Sequence, residues 1–281
     1  SRYAEHPCRA GRRSLDVRPV ADTLILRNPH SVLAAIESRP DDVEAISLPA
    51  GFLKNADRAD SAVGRDAWIK VFHLARKNHV TIHETRGASD RGPRSAPKDS
   101  RESGFEALVR AKEPVSLEEM FQQDMPNGLW LALDQLQDPH NLGAIFRTAA
   151  FFGVCGIITT VERAAPLSSV VYDVACGGVD AVPFAIETNL VRCMERAKEM
   201  GLWTLGSSEH AQHPLSKIPL DRKWLLMVGN EEKGLRKLTL ENCDMTCTIP
   251  AAGTSVTSLN VSVATGILIS ALSASPSSPE R

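Results

Sequence analysis

Residues 130–160 read WLALDQLQDPHNLGAIFRTAAFFGVCGIITT, and their pattern decides the fold. Trp130–Leu133 and Gly156–Thr160 are apolar runs of strand length, while Leu142–Phe152 between them has helical spacing. Asp138-Pro139 marks the turn after the first strand, and Asn141 is a suitable N-cap for the helix. The same alternation continues downstream. Val182–Ile186, Leu202–Leu205, Trp224–Val228 and Thr246–Ile249 read as strands, with helices over Leu190–Met200, Leu235–Cys243 and Val261–Leu272. Strands alternating with helices give an α/β fold with a parallel sheet covered on both faces. Ligands of such sheets gather beyond the carboxyl ends of the strands, so the residues after each strand are the functional candidates.

A smaller α/β unit precedes this region. Its strands are Thr23–Leu26, Val43–Leu48, Val80–His83 and Phe105–Ala111, and its helices Asn28–Ser38 and Asp66–Asn78. Residues 86–103 (RGASDRGPRSAPKDSRES) hold almost nothing apolar and read as a polar loop. The expected organisation is an N-terminal extension over 1–21, a first domain over 22–115 that contains the loop, and a main domain over 125–275. The extension is Arg-rich (Arg2, Arg9, Arg12, Arg13, Arg18) without an apolar core, so it is not read as a secretory signal; a transit peptide stays open.

Composition narrows the class without naming a function. The 281 residues are 43% hydrophobic and 23% charged, enough for one large domain or two modest ones. No apolar run approaches the roughly 18–20 residues of a membrane helix, so no membrane partner is expected. The six cysteines form no CxxC pair and no zinc pattern, which favours free thiols, a cytoplasmic setting and no metal. Net charge is −2; residues 1–120 carry a net +2 and residues 121–281 a net −4. That lean is too small to identify a nucleic-acid partner by itself.

Three segments carry polar residues where ligands should gather. The first is Asp134 to Arg147, with Asn141 and Arg147 on different faces of an ideal helix. They converge only if Asn141 lies at or before the cap; taken alone, the segment is better explained by a capped helix with a surface arginine. The second is Val228-Gly229-Asn230-Glu231-Glu232-Lys233-Gly234-Leu235, whose glycines permit a tight turn and close approach to a ligand. Its spacing is neither a Walker loop nor a dinucleotide fingerprint. On this reading a bulky residue at Gly229 blocks the ligand and spares the fold. The third runs from Ile249 to Ala264, where Ser258, Asn260 and Ser262 are more polar groups than one helix cap requires.

Taken together and in this order, the segments resemble the three motifs of the SPOUT superfamily, in its TrmH (SpoU) branch of RNA ribose 2′-O-methyltransferases. The likeness runs from about Leu129 to Ala271. It is most specific at Asp138-Pro-His-Asn-Leu-Gly-Ala144 and Ser258-Leu-Asn-Val-Ser-Val-Ala-Thr-Gly266. With Val174-Ala-Cys-Gly177 it is nearest to the bacterial 23S ribosomal RNA guanosine-2′-O-methyltransferases, whose small N-terminal domain, related to ribosomal protein L30e, residues 22–111 resemble more weakly.

The resemblance implies a trefoil-knotted methyltransferase domain, S-adenosylmethionine as methyl donor, an RNA substrate and a homodimer. It assigns donor contacts to Gly229, Ile249 and Leu259. It assigns the reaction to Arg147 with Asn141, Glu231, Ser258 and Asn260. An arginine with pKa above about 12 is a reluctant base, so Arg147 is expected to grip phosphate and polarise the hydroxyl. Asn141 would orient Arg147 or the ribose, and Glu231 would hold Arg147 by a charge-assisted hydrogen bond. Ribosomal RNA is favoured. Transfer RNA, or a relative that binds RNA without catalysis, are the alternatives.

Overall fold

A computed structural model describes residues 22–49, 52, 65–85, 104–230, 232–253, 255 and 258–273. The extension 1–21, the polar loop 86–103 and Glu231 therefore lie outside the described residues. The N-terminal part builds a four-stranded mixed sheet from β1 (Thr23–Leu26), β2 (Val43–Pro49), β3 (Thr81–Thr85) and β4 (Glu106–Arg110), in the order β1-β4-β2-β3. β2 and β3 run parallel, and β4 is antiparallel to both its neighbours. Helices α1 (Pro29–Ser38) and α2 (Arg65–Lys77) belong to this part. The Asn28 side chain starts α1 by accepting from the His30 amide, with Pro29 in the first turn, where its missing N–H costs nothing.

After the short α3 (Leu117–Phe121) the chain enters the expected parallel sheet: β5 (Gly128–Leu133), β6 (Gly156–Thr160), β7 (Phe184–Glu187), β8 (Trp203–Ser207), β9 (Lys223–Val228) and β10 (Met245–Cys247). All neighbours pair parallel in the order β10-β8-β9-β5-β6-β7. Its helices are α4 (Pro139–Phe152), α5 (Ser169–Ala175), α6 (Gly178–Ala181), α7 (Leu190–Glu199), α8 (Lys237–Glu241) and α9 (Val261–Leu272).

The apolar strands read as they do because both faces are covered. Leu129, Leu131 and Leu133 point into one core with Trp224, Leu226 and Val228, while Trp130, Ala132, Leu225 and Met227 point into the other. The first core takes in α4, α5 and α9 and continues without a break into Leu26, Val32, Ile36 and Ile46 of the N-terminal part. The second is closed by α3 and α7. From β5 the chain moves outward to β6 and β7, then returns to the opposite side of β5 through β8 and β9. The order reverses between β5 and β9, which is where a crevice opens in such folds.

Several elements depart from the sequence reading. α4 starts at Pro139, capped by Asp138, whose carboxylate accepts from the His140 amide. Asn141 is therefore inside the first turn and is not the cap. The strand expected from Val182 starts at Phe184, because the Val182 amide closes α6 on Gly178 and Pro183 has no N–H for the ladder. The helix expected over Leu235–Cys243 is confined to Lys237–Glu241. α5 and α6, which periodicity did not reveal, are separated by Cys176 and Gly177 in left-handed conformations (φ +50° and +94°).

Both short helices press against α4. A Cβ on Gly178 would lie 2.6 Å from the Phe146 carbonyl oxygen and 2.9 Å from the Arg147 nitrogen. Backbone cannot yield as a side chain tip can, so Gly178→Ala should destabilise the fold by about 1–3 kcal/mol. Urea unfolding reads this directly; an unchanged midpoint would show that α6 does not need this close approach.

Candidate active site

β5 is followed directly by Asp134, whose side chain is only 1% exposed and whose Oδ2 takes a 2.9 Å hydrogen bond from Arg236 Nε. The next residue, Gln135, is held at φ +59°, an uncommon conformation for a residue with a Cβ. Its amide donates to Thr160 Oγ1 (3.1 Å) at the end of β6, and its carbonyl accepts from Asn230 Nδ2 (2.9 Å) at the end of β9. The first motif is thus tied to the second by two side chains, Asp134 to Arg236 and Asn230 to Gln135.

The second motif closes on itself. Asn230 and Gly234 exchange backbone hydrogen bonds of 3.2 and 2.9 Å, Gly234 takes φ +64°, and Asn230 Oδ1 accepts from the Glu232 amide. A Cβ on Gly229 would lie 2.1 Å from the Gly234 carbonyl carbon and 2.2 Å from the Leu235 nitrogen. The sequence reading that a bulky residue here would spare the fold is therefore corrected: Gly229 is required by the loop's own backbone before any ligand arrives.

Beside this loop lies a cleft of about 890 Å³. Val228, Leu235, Leu240, Ile249 and Leu268 give it an apolar floor; Ser207, Glu209, His210, Lys233 and Ser258 give it polar edges. Gly229 of the second segment and Ile249, Ser258 and Leu259 of the third all border this one cleft. Its volume suits a nucleoside-sized ligand, and residues 229–230, 232–234 and 249–253 of two loops form much of its wall. Cys247 also lines it, but burial pushes that thiol up to about 11, so it is no thiolate nucleophile near neutral pH. Cys193 and Cys243 are pushed up to about 12 for the same reason. Among the described residues no three His, Cys, Asp or Glu side chains are placed to hold a metal, and no helix is long and apolar enough to cross a membrane.

The third motif meets the first through a pair of amides. Asn260 caps α9: its Oδ1 accepts from the amides of Ser262 (2.9 Å) and Val263 (3.3 Å) and from Ser262 Oγ (2.6 Å). Its Nδ2 donates to Oδ1 of the buried Asn141 at 3.1 Å. One residue thus satisfies the helix cap and braces α9 against α4. Arg147 stands apart. It is exposed on α4, about 120° around the helix from Asn141, and makes no hydrogen bond or ion pair with the described residues. Glu231, its expected partner, lies outside them. Sequence reasoning missed Asp134, Asn230 and Arg236. Asp134 and Arg236 are 102 positions apart, and nothing in either segment announces the pair.

Comparison with known proteins agrees with this geometry. Residues 128–270 match the family model described as "SpoU rRNA Methylase family". The chain is 34% identical over 243 residues to the 23S rRNA (guanosine-2′-O-)-methyltransferase RlmB of Pseudomonas putida, covering 85% of this chain and 92% of that one.

This chain belongs to the SpoU rRNA methylase family.

The RlmB of Bordetella pertussis is 32% identical over 259 residues, covering 89% of this chain and 96% of its own. Among solved structures, the SpoU methyltransferase AviRb of Streptomyces viridochromogenes, in complex with the cofactor AdoMet, superposes with a TM-score of 0.68 at 20% identity, covering 89% of each chain. A crystal structure titled as an RNA 2′-O ribose methyltransferase gives 0.65 at 21% identity. At these identities the structures speak to the fold: an α/β architecture with a parallel sheet, shared with SpoU methyltransferases.

The Gly229 contact generates a test. Gly229→Ala forces the 229–235 turn open, and titration calorimetry should then find S-adenosylmethionine affinity lowered at least tenfold, with secondary structure retained by circular dichroism. Affinity equal to the parent's would remove this loop from the binding site.

Proposed function

We propose that the chain transfers a methyl group from S-adenosylmethionine to a ribose 2′-hydroxyl of RNA, the substrate being a guanosine of 23S ribosomal RNA. The observation that carries this reading is convergence: the second and third motifs line one cleft beyond the ends of β8, β9 and β10, and the first motif, 80 or more residues earlier in the chain, is hydrogen-bonded to both through Gln135–Asn230 and Asn141–Asn260. The ribosomal substrate is supported by the 32–34% identity, over nearly the whole chain, to enzymes named for 23S rRNA.

Bound S-adenosylmethionine supplies a methyl group already activated on sulfur. The cleft suits it: the apolar floor would receive an adenine ring, and Gly229, Ile249 and Leu259 are the residues that would hold the donor. The residues of the chain then have two tasks, alignment and removal of one proton. Arg147, exposed on α4, is assigned to hold the RNA phosphate and polarise the hydroxyl with its planar fork. Asn141 and Asn260, bonded to each other, fix α4 against the third motif. Ser258 edges the cleft, and Glu231 is assigned to steady Arg147. The proton leaves through water or phosphate, because a guanidinium is too weak a base to keep it.

The domain assignment follows the same reading: an L30e-like RNA-binding domain over 22–115, and a trefoil-knotted methyltransferase domain over 125–275. We infer a homodimer as well. Phe151, one helical turn beyond Arg147, is 83% exposed, and Val263 and Ile267 on the neighbouring α9 are also exposed, an apolar surface that a second copy would cover. Such a copy would place its own residues beside Arg147. A cytoplasmic setting accords with the free cysteines among the described residues.

Arg147→Lys separates charge from geometry, since it keeps the positive charge and loses the fork. Single-turnover methylation at saturating RNA should slow by about two orders of magnitude or more, with S-adenosylmethionine affinity within about twofold of the parent. Arg147→Ala should be at least as slow. Full activity in the alanine variant would reduce Arg147 to a surface residue and remove the proposed mechanism.

A further inference from the structure

The junction between the N-terminal sheet and the parallel sheet is built around a buried ionic cluster that the mechanism above does not use. Asp180 on α6 has a side chain only 1% exposed, and its Oδ1 takes a 2.7 Å hydrogen bond from Arg39 Nε. Arg39 ends α1, is 12% exposed, and also binds the Arg110 carbonyl at the end of β4 and Asp42 in the turn before β2. Lys112, just after β4, donates its Nζ to the carbonyls of Val179 (3.0 Å), Asp180 (2.9 Å) and Val182 (3.1 Å). Its amide donates to Tyr172 Oη on α5 (2.9 Å). Two cations of the N-terminal part thus grip one short helix of the catalytic part.

Stability alone does not account for the cluster. Asp180 Oδ2 and Arg39 Nη2 are buried without a hydrogen-bond partner among the described residues. Burial works against the charged forms, raising the pKa of Asp180 and lowering that of Lys112. A buried pair with unmet hydrogen-bonding capacity contributes little net stability, and its best-attested use is to fix one geometry against others. What it fixes here is next to the reaction. α6 lies directly on the backbone of Phe146 and Arg147 through Gly178. A second route runs from the Lys112 ammonium, 5.9 Å from the Phe184 ring centre, to Phe184 packed edge-on against Phe146.

We propose that Asp180, gripped by Arg39 and Lys112, is a positioning residue for methyl transfer: it registers the RNA-binding part on the helix that carries Arg147, so that a bound ribose meets the site at one angle. This rests on the function proposed above. Asp180 touches neither substrate in this account; it acts through α6 and α4.

The test uses the full chain and a double-mutant cycle with Asp180→Asn, Arg39→Gln and both together. Each single variant should lose at least tenfold in single-turnover rate at saturating RNA and donor, with S-adenosylmethionine affinity within twofold of the parent. The double variant should be no slower than the slower single one, because the pair acts as a unit. Rates within twofold of the parent would overturn the proposal, as would losses that multiply in the double variant. So would a parallel fall in rate and donor affinity, which marks general unfolding. If Asp180→Asn does not fold at the assay temperature, Arg39→Gln decides alone by the same two readouts. A parent chain that methylates no RNA in this assay defeats the proposed function itself, a result distinct from equal rates in parent and variants.

Discussion

The clasp between the ends of β5 and β9 is the constraint from which the site follows. A parallel sheet leaves its strand ends as separate loops, each free to wander unless something joins them. Here Asp134 meets Arg236 and Asn230 meets the Gln135 carbonyl, so the loops after two adjacent strands move as one body. Gln135 holds its left-handed conformation because its amide and carbonyl are each taken by a neighbouring strand end. Such conformations persist only where the surroundings over-determine them, and they cluster at functional sites. With those loops fixed, the cleft has one rigid wall, and the Asn141–Asn260 pair braces the helices α4 and α9 behind it.

Under the function proposed above, the donor would rest on the loops after β9 and β10, and the RNA would meet the side chain of Arg147 on α4. That division suits group transfer from a carrier that is already activated. The protein gains little by adding a nucleophile or a metal, and much by holding two partners at a fixed distance and angle. The cleft's thiol, Cys247, is kept protonated by burial, so it does not compete as a methyl acceptor near neutral pH.

Much of this was legible in the sequence, for physical reasons that differ by element. β5 and β9 are apolar on both faces because both faces are covered, so the parallel sheet could be read from composition run by run. Gly229, Ile249, Leu259 and Ser258 could be named because their segments resemble the family's motifs, and the structure brings all four to one cleft. The cap of α4 was misread: Asp138 and Asn141 are both good caps, and only the backbone path decides between them. Gly229 was recognised as special for an incomplete reason, since the atoms it avoids belong to its own loop. α5 and α6 escaped notice because two short helices broken by left-handed residues have no periodicity to detect. The pairings Asp134–Arg236 and Arg39–Asp180 were invisible, since partners 102 and 141 positions apart leave no local trace.

The claim at the centre of this account is the identity of the methylated group. The direct measurement is nucleoside mass spectrometry after incubating the chain and S-adenosylmethionine with undermethylated ribosomal RNA and, separately, with transfer RNA. The account predicts 2′-O-methylguanosine in the 23S ribosomal RNA pool and no gain of methyl in transfer RNA. A methyl group on a base, 2′-O-methylation confined to transfer RNA, or no transfer to either pool would contradict it.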